Sequence, residues 1–327
     1  MPTPREARKR VVESVLDLVG KTPLFDLSAL REPGEASIFA KLEYFNPCGS
    51  VKDRIGLAMI LRAEREGALK PGGTVVEATA GNTGIGVALA GVQRGYRVII
   101  VMPEGYAPEK MALVKGLGAE LVLTPGNTKM LEAVALAERI TASTPGAVLL
   151  QQFKNPANPQ VHYETTAAEI WEQMEGRVDG LAVGAGSGGT FTGIARFLKE
   201  RNPRARCFVV EPPGSLFGGH PFDAPHRVEG IGNSFWPEVL DRSLVDGVFT
   251  IPDSETYAWV DRLGRMGLLV ASSSGANLAG SKRLAQMLGA GKRVVTVFPD
   301  SSERYLNKYK YDGLVDGKPI VDGEGKQ

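Results

Sequence analysis

The sequence predicts an α/β protein with two doubly wound α/β lobes, each a mostly parallel sheet covered by helices. The middle of the chain alternates short β-rich runs with helical patterns, which is typical of βαβ units. One run, RVIIVM at Arg97–Met102, has almost no polar break, as expected for a parallel strand buried on both faces. The alternation returns after residue 180, which predicts a second sheet. We therefore expect two lobes that meet at a cleft.

The predicted elements follow in chain order. In the first half, the strands are Thr74–Val76, Arg97–Met102, Glu120–Leu123 and Ala147–Leu150, and the helices are 53–66, Asn82–Arg94, Pro108–Leu117 and Met130–Ala142. In the second half, the strands are Leu181–Val183, Cys207–Val210 and Val294–Phe298, and the helices are Thr190–Glu200 and Ala276–Leu288. The stretch from Glu211 to about Ile231 is rich in Pro, Gly and His, which predicts a long surface loop. The polar, Gly-rich tail after Tyr311 predicts poor order.

The composition excludes several classes of protein. The 327 residues are 43% hydrophobic, enough for a sizeable core, and 38 basic against 37 acidic side chains leave a formal net charge of +1. Nucleic-acid and membrane-surface binders usually carry a clear basic excess. Residues 1–12 lack the apolar core of a signal peptide, and no apolar run approaches the ~20 residues of a membrane helix. We expect a cytoplasmic protein that binds neither nucleic acid nor membrane.

The cysteines and histidines give no metal signature. Cys48 and Cys207 form no CxxC pair, which indicates a reduced intracellular protein without a disulfide framework. His162, His220 and His226 lack the spacing of metal ligands, and we expect them on the surface or in loops. No metal site is predicted.

A lysine stands at a helix start in the segment Asn46-Pro47-Cys48-Gly49-Ser50-Val51-Lys52-Asp53-Arg54. Asn-Pro and Gly-Ser mark a turn, so Lys52 falls in the first turn of the helix that follows. The positive end of the helix dipole disfavours the ammonium form there. A lysine with a lowered pKa is a candidate for amine chemistry, whereas the alternative is an ordinary surface lysine.

Two further segments have the composition of anion-binding loops. Glu77-Ala78-Thr79-Ala80-Gly81-Asn82-Thr83-Gly84 follows a strand and opens a helix, where backbone N–H groups and hydroxyls can hold a carboxylate or phosphate. Plain helix capping by Asn82 or Thr79 explains this segment equally well. Gly184-Ala185-Gly186-Ser187-Gly188-Gly189-Thr190 has the same context, and its glycines let the backbone approach a phosphate as an anion-holding nest.

The glycine-rich segment also supports a rival hypothesis. It fits G-x-G-x-x-G, with Glu211 near the end of a strand about twenty residues later, which is the fingerprint of dinucleotide-binding oxidoreductases. A fourth strand-to-helix turn, at residues 271–276, carries Ser272, Ser273 and Ser274. Their hydroxyls can cap the helix or bond a ring nitrogen of a ligand.

Taken together, these segments resemble the fold-type II enzymes that use pyridoxal 5′-phosphate (PLP), which are tryptophan synthase β-like. The nearest branch contains cysteine synthase (O-acetylserine sulfhydrylase) and the cystathionine β-synthase core. The similarity runs from Leu18 to Leu306, and its specific matches are Asn-Pro-x-Gly-Ser-Val-Lys-Asp-Arg and Ala-Gly-Asn-Thr-Gly-Ile-Gly. Further matches in the same order are Gln151-Gln152-Phe153, Asn155-Pro156-Ala157-Asn158-Pro159 and Glu229-Gly230-Ile231-Gly232.

The resemblance implies a role for each segment. Lys52 would form the Schiff base with PLP and act as the catalytic residue, and Asn82 would bond the 3′-hydroxyl of the ring. The cofactor phosphate would lie on Gly186, Ser187, Gly188, Gly189 and Thr190. Ser273 would face the pyridine nitrogen, with Ser274 as the alternative. The substrate carboxylate would bind Thr79, Ala80, Gly81, Asn82, Thr83 and Gln152. Gly230 and Gly232 would line the mouth of the active site near the β-carbon of the substrate.

The resemblance also implies a division into lobes. Residues 1–48 and 154–327 would form a larger cofactor-binding lobe, and residues 49–153 a smaller, mobile substrate-binding lobe. The active site would lie in the cleft between them. A homodimer is implied as well, and binding of serine acetyltransferase is open.

The implied reaction is β-replacement on O-acetyl-L-serine by sulfide, which gives L-cysteine and acetate. Several positions leave alternatives open. Ala80 stands where cysteine synthases usually carry Ser. An acidic residue at the position of Asp300 is more common in cystathionine β-synthases and in a second type of cysteine synthase. Phe153 favours cysteine synthase, and Arg227 keeps O-phosphoserine open as a substrate. The alternatives are therefore condensation with homocysteine and a cysteine synthase that uses O-phosphoserine or thiosulfate. A non-catalytic binding protein on the same fold is disfavoured, because no key residue is lost.

Overall fold

The computed structural model describes residues 11–104, 108–125, 130–219 and 226–305. Its strands form two separate sheets. They are β1 Leu24–Asp26, β2 Ser37–Leu42, β3 Thr74–Ala78, β4 Arg97–Pro103, β5 Glu120–Thr124, β6 Ala147–Leu149, β7 Gly180–Gly184, β8 Arg206–Glu211, β9 Gly247–Thr250 and β10 Arg293–Phe298.

Helices connect most of these strands. The α-helices are α1 Lys52–Arg65, α2 Asn82–Gln93, α3 Pro108–Gly116, α4 Met130–Ser143, α5 Ala157–Val161, α6 Ala168–Gln173, α7 Gly189–Arg201, α8 Asp253–Arg265 and α9 Ser272–Leu288. A π-helical turn, His162–Ala167, joins α5 to α6. Short 3₁₀ turns lie at Val15–Leu18, Ser28–Leu30, Glu43–Phe45, Arg242–Leu244 and Ser302–Tyr305.

The larger sheet has six strands in the order β1-β2-β10-β7-β8-β9. All neighbours are parallel except β1, which pairs antiparallel with β2. Alternate residues of its strands enter different hydrophobic clusters: Val294 and Phe298 of β10 pack with α9, while Val295 and Val297 pack with α7. A sheet covered in this way is buried on both faces, as parallel sheets normally are.

The smaller sheet has four parallel strands in the order β5-β4-β3-β6. Its two faces also bury separate clusters, with Val98 and Ile100 of β4 on one side and Ile99 and Val101 on the other. All four strands come from residues 74–149, so the two sheets are built from different parts of the chain. The predicted α/β class with two sheets is thus observed.

The elements predicted from the alternating pattern are all present, most within one or two residues of the expected ends. The sequence pattern missed β1, β2 and β9, and also α8 and the helical segment 157–173. The stretch from Glu211 to Ile231 is irregular where it is described, but it is not a surface loop throughout. Phe217, Val228 and Ile231 are buried in the cores on the larger sheet, which holds this segment against the sheet.

A buried ion network joins the start of α1 to the larger sheet. The Arg54 guanidinium donates to both oxygens of Glu43, at 2.7 and 2.8 Å, and to both oxygens of Glu169, at 2.7 and 2.8 Å. Lys41 of β2 contacts Glu169 at 2.8 Å and donates to the carbonyl of Thr22. Two positive and two negative charges therefore balance each other, and of the four side chains Glu169 keeps some contact with water, at 18% exposure.

Candidate active site

A cavity of about 410 Å³ opens between the carboxyl ends of the two sheets. Ligands bind at this end of parallel strands in open α/β sheets. Nearly every residue predicted for the site lines it, which brings together segments that lie far apart in the sequence. They are Lys52, Thr79, Ala80, Gly81, Asn82, Thr83, Gln152, Gly186, Ser187, Gly188, Thr190, Gly230, Gly232 and Ser273. Gly189 is buried just behind this wall as the first residue of α7.

Lys52 is the first residue of α1, as predicted from the turn before it. Burial lowers the pKa of its amine below the ordinary value, and the carboxylates of Asp300 and Glu43 offset part of that shift. Its backbone is held close to α2, because a side chain at Gly86 would clash with the Lys52 carbonyl. A fixed amine of lowered pKa that faces a cavity is suited to nucleophilic and base chemistry.

The loop after β3 and the segment after β6 form one wall of the cavity. The Thr83 hydroxyl donates to the side-chain oxygen of Gln152 at 2.7 Å, which leaves the Gln152 amide hydrogens for another acceptor. Glu77 is buried below this wall. Its carboxylate accepts hydrogen bonds from the backbone N–H groups of Gln151 and Gln152, at 2.8 and 3.3 Å. Burial raises the pKa of Glu77 to about 7, and the hydrogen bonds from the Gln152 and Gln151 backbone offset part of that shift.

The glycine-rich loop forms the opposite wall and leads into α7. Gly188 has a φ of 86°, and a side chain at Gly186 would clash with the carbonyl of Gly230. Ser187 accepts a hydrogen bond from Asn158 at 3.0 Å, and the Thr190 hydroxyl lies 3.2 Å from Nε2 of His162. The loop therefore presents hydroxyls and the N-terminal N–H groups of a 13-residue helix to the cavity, a typical anion site.

His162 corrects one expectation from the sequence. It is neither on the surface nor in a loop, because it lies buried in the π-helical turn behind the glycine-rich loop. Its Nδ1 lies 2.9 Å from the Thr166 hydroxyl, and burial lowers its pKa to about 3, which keeps the imidazole neutral. His226 lies in the irregular segment after residue 225, and His220 falls outside the described residues.

Ser273 and not Ser274 faces the cavity. Both lie in the first turn of α9 and are buried, but the Ser274 hydroxyl points into the protein and has no hydrogen-bond partner among the described residues.

The half-buried Cys48 donates its backbone N–H to Asp53 at 2.7 Å. Burial raises the pKa of its thiol to about 11 and that of the Asp53 carboxyl to about 7.

The structure adds wall residues that the sequence patterns did not assign to the site: Lys110, Asn233, Asp300 and Tyr305. The Asp300 carboxylate accepts from Asn82 and from the Tyr305 hydroxyl, both at 2.6 Å, and so links the loop after β3 to the segment after β10. Lys110 lies 4.4 Å from the centre of the Tyr305 ring. Asn233 donates to the carbonyl of Gly186. Only the Asp300 position carried a signal in the sequence, as a departure from the cysteine synthase pattern.

Glu211, the acidic residue that the rival dinucleotide hypothesis requires, is not available to bind a ligand. Glu211 is buried, and its oxygens accept from the backbone N–H groups of Phe217 and Gly218 at 3.0 and 2.9 Å and from Thr250 at 3.1 Å. It braces the irregular segment and does not line the cavity. A carboxylate used in this way cannot receive a ribose hydroxyl.

The site fits a phosphorylated aldehyde cofactor. It combines the Lys52 amine, whose pKa is lowered, with the neutral hydroxyl of Ser273. It also contains a glycine-rich loop at a helix N-terminus, where a side chain at Gly189 would clash with Asn158. The described residues contain no cluster of side chains that could hold a metal ion. Within those same ranges, no helix is long and apolar enough to cross a membrane.

Comparisons with known proteins agree with this geometry. A family profile described as "Pyridoxal-phosphate dependent enzyme" matches residues 15–300. An O-acetylserine dependent cystathionine beta-synthase of Bacillus subtilis (strain 168) is 42% identical over 305 residues, 93% of this chain and 99% of the relative. A cysteine synthase of Staphylococcus aureus (strain Mu50 / ATCC 700699) is 41% identical over 310 residues, again 93% of this chain and 99% of the relative.

A solved structure is similarly close. The crystal structure of an O-acetylserine dependent cystathionine beta-synthase from Helicobacter pylori superposes with a TM-score of 0.86 and 40% identity, covering 92% of this chain and 99% of that one. The profile, the two relatives and the superposition each extend over most of the chain. This chain therefore belongs to the family of pyridoxal-phosphate dependent enzymes.

Proposed function

We propose that the enzyme replaces the β-acetoxy group of O-acetyl-L-serine by sulfide and forms L-cysteine and acetate. The observation that carries the proposal is the convergence on one cavity of the Lys52 amine and two anion-binding walls. One wall has the chemistry for a phosphate, and the other for an amino-acid carboxylate. The names of the two bacterial relatives support the same class of substrate.

When bound, PLP supplies an electron sink that makes the α-carbon acidic and lets the β-substituent leave. Lys52 would hold the cofactor, with Asn82 at the ring hydroxyl and Gly186–Thr190 at the phosphate. Ser273 would face the ring nitrogen as a neutral group. A neutral hydroxyl need not keep that nitrogen protonated, and this favours loss of the β-substituent over a long-lived carbanion.

The residues of this chain then handle the substrate and the proton. Thr79–Thr83 and Gln152 would receive the carboxylate and orient the α-carbon toward Lys52. The Lys52 amine would take the α-proton and return it to the product, and such positioned base catalysis typically contributes ~10²–10⁴-fold. We further propose that lobe 49–153 closes on the substrate over Gly230 and Gly232, because exclusion of water would protect the reacting carbon.

A second candidate uses homocysteine in place of sulfide. The cavity wall carries acidic side chains at Glu229 and Asp300 and, besides Lys52, a basic side chain at Lys110. These charges would complement the ammonium and carboxylate of a second amino acid. Ala80, which lacks a hydroxyl, leaves more room beside the carboxylate loop. The Bacillus subtilis relative, an O-acetylserine dependent cystathionine beta-synthase, supports this candidate too.

One competition experiment separates the candidates. The purified holoenzyme is mixed with O-acetylserine, sulfide and homocysteine together, and the products are identified by mass spectrometry. Cysteine as the main product supports the first proposal, and cystathionine supports the second. Parallel reactions with O-phosphoserine, serine and thiosulfate identify the preferred donor. A colourless protein that consumes none of these would contradict both.

The family resemblance also supports proposals about assembly. We propose a cytoplasmic homodimer, whose mass can be measured by light scattering during size-exclusion chromatography. Binding of serine acetyltransferase is proposed as an additional property. It can be tested by titrating a peptide of that enzyme's C-terminal tail against the holoenzyme and following cofactor absorbance.

A further inference from the structure

Asn158 stands between the two anion-binding walls of the cavity. It is the second residue of α5, and its side chain is fully buried. Its amide nitrogen donates to the backbone carbonyl of Gln152 at 2.8 Å and to the Ser187 hydroxyl at 3.0 Å. One amide group therefore contacts both Gln152 and the glycine-rich loop.

The orientation of this amide is fixed by its partners. A carbonyl can only accept, so the group that faces the Gln152 carbonyl must be the NH₂ end of the Asn158 side chain. Its two hydrogens then point to Gln152 and to Ser187. Because Ser187 accepts this bond, its own hydrogen stays available for an acceptor in the cavity. An anion placed on the glycine-rich loop would be such an acceptor.

The same amide supports the carboxylate wall. The Gln152 backbone is held at its carbonyl by Asn158 and at its N–H by Glu77. Its side-chain oxygen accepts from Thr83, so the remaining NH₂ group can donate to a substrate carboxylate. The preceding residue, Gln151, has a backbone φ of 55°, which is a strained conformation for any residue other than glycine. These fixed contacts hold Gln152 in place beside that strain.

The position of Asn158 has a cost that packing alone does not explain. Its side-chain oxygen is buried without a hydrogen-bond partner among the described residues, and it lies against Gly189, where any side chain would clash with it. An unpaired buried polar atom is destabilising. A residue that serves only to fill space would be apolar here.

We propose that Asn158 is a positioning residue that ties both anion subsites to one buried amide. It directs the Ser187 hydroxyl toward the cofactor phosphate, and it holds Gln152 for the carboxylate of the amino-acid substrate. The assignment rests on the proposed function, which identifies the two anions. Asn158 does not line the cavity and acts through its neighbours.

Two ratios of affinity test the proposal without turnover. Binding of PLP and of pyridoxal, which lacks the phosphate, is measured on the apoprotein. Binding of L-alanine and of L-alaninamide, which lacks the carboxylate, is measured on the holoprotein from the change in cofactor absorbance. In Asn158→Asp, which keeps the shape but loses both donors, each preference for the anionic ligand is expected to fall about tenfold, as for a lost hydrogen bond to a charged group.

The other variants separate this role from general damage. Ser187→Ala is expected to lower the preference for PLP about tenfold and leave the preference for L-alanine within twofold. Asn202→Asp is the matched control, because its amide bonds the Val178 carbonyl at 2.9 Å away from the cavity, and both ratios should stay at the parent value. Asn158→Ala gives the same readings if the buried carboxylate of Asn158→Asp prevents folding.

Each outcome has a distinct meaning. Unchanged ratios in the Asn158 variants, or loss of affinity for both members of each pair, would overturn the inference and leave a merely structural residue. A change in only one ratio would refute the bridging role, as would a full phosphate preference in Ser187→Ala. If the parent protein binds no PLP at all, the proposed function fails and not this inference alone.

Discussion

At the scale of the residue, Lys52 begins α1, and its amine is desolvated between the two walls of the cavity. Burial lowers its pKa, although Asp300 and Glu43 offset part of the shift. The amine therefore reaches its neutral, reactive form at a lower pH than an exposed lysine does. This environment, and not the residue type alone, makes Lys52 the candidate for the covalent cofactor link.

Replacing Lys52 by alanine is expected to abolish the covalent link and to lower turnover at least ~10²-fold, through loss of the base. After borohydride reduction and digestion, mass spectrometry should find a pyridoxyl group on Lys52 of the parent. It should find none on the variant, which would still hold PLP by non-covalent contacts. Lys115, which is on a different element and does not line the cavity, offers a control at Lys115→Ala. Parent-like turnover of O-acetylserine by Lys52→Ala would contradict the assignment.

The next residue gives a prediction about pH. Burial raises the pKa of Asp53 to about 7, and only one of its oxygens has a partner among the described residues. The folded state therefore binds this proton more tightly than the unfolded state does. Its contribution to stability is present below about pH 4 and is lost as the pH rises toward 7.

Asp53→Asn removes this titration. The stability of the variant relative to the parent should rise with pH in that window, by up to about 1.4 kcal/mol per pH unit. Urea unfolding of both proteins at pH 5 and pH 8 measures the difference. An identical pH dependence of the two free energies would show that Asp53 is ionised in the folded protein throughout.

At the scale of the element, α1 and α2 approach each other through glycine. A side chain at Gly56 would clash with the backbone of Gly86, and a side chain at Gly86 would clash with the Lys52 carbonyl. The crossing thus brings the first turn of α1 against the helix that starts at Asn82. Lys52 and Asn82 are thus held near each other because Gly56 and Gly86 carry no side chains at the helix crossing.

Gly86→Ala should therefore destabilise the protein by about 1–3 kcal/mol through overpacking, and weaken PLP binding because Lys52 must move. Gly264→Ala is the control: it also lies inside a helix but has no neighbouring atom in the way, so alanine should stabilise it by about 0.5–1 kcal/mol. Thermal and urea unfolding measure both changes. A neutral effect of Gly86→Ala would mean that the helices can separate without loss.

The elements that sequence reasoning predicted share a strong local signal. Strands such as β4 are continuous apolar runs between helical patterns, and that alternation gave both their type and their ends. β1 has only three residues, and β2 carries Lys41, whose burial depends on Glu169, a residue 128 positions later in the chain by their numbers. Their place in the sheet is decided by partners that local pattern does not reveal.

At the scale of the whole molecule, the Arg54 network joins segments from the first 54 residues to the helical segment after α5. It fixes the beginning of α1 on the larger sheet, while the rest of α1 packs on α2. Lys52, two residues before Arg54, therefore lies where the two sheets are connected. This connection determines how the cavity walls face each other.

Arg54→Met should lower the free energy of unfolding by about 3–5 kcal/mol, because it leaves the buried carboxylate of Glu43 without its charged partner and removes one of the two cations that contact Glu169. Arg97→Met is the matched control, since Arg97 and Glu120 are about half exposed and such surface pairs contribute less than about 1 kcal/mol. Urea unfolding at neutral pH compares them. Equal effects of the two substitutions would contradict the structural role of the network.

The site could be predicted as far as its residues sit in continuous motifs. Lys52, the Thr79–Thr83 loop and the glycine-rich loop each lie in such a motif, and all of them meet at the cavity. Asn158 and Asp300 act through hydrogen bonds to Ser187 and Asn82, 29 and 218 positions away along the chain, and Tyr305 acts through its hydrogen bond to Asp300. The local sequence does not reveal which distant residues pair in this way.

The raised thiol pKa of Cys48 has a consequence for the life of the protein. At neutral pH only about one such group in ten thousand is ionised, and the ionised form is the one that reacts with oxidants and alkylating agents. The Cys48 thiol is therefore protected from oxidation and alkylation at neutral pH. Iodoacetamide at pH 7 should leave this cysteine largely unmodified over hours, while the native fold persists.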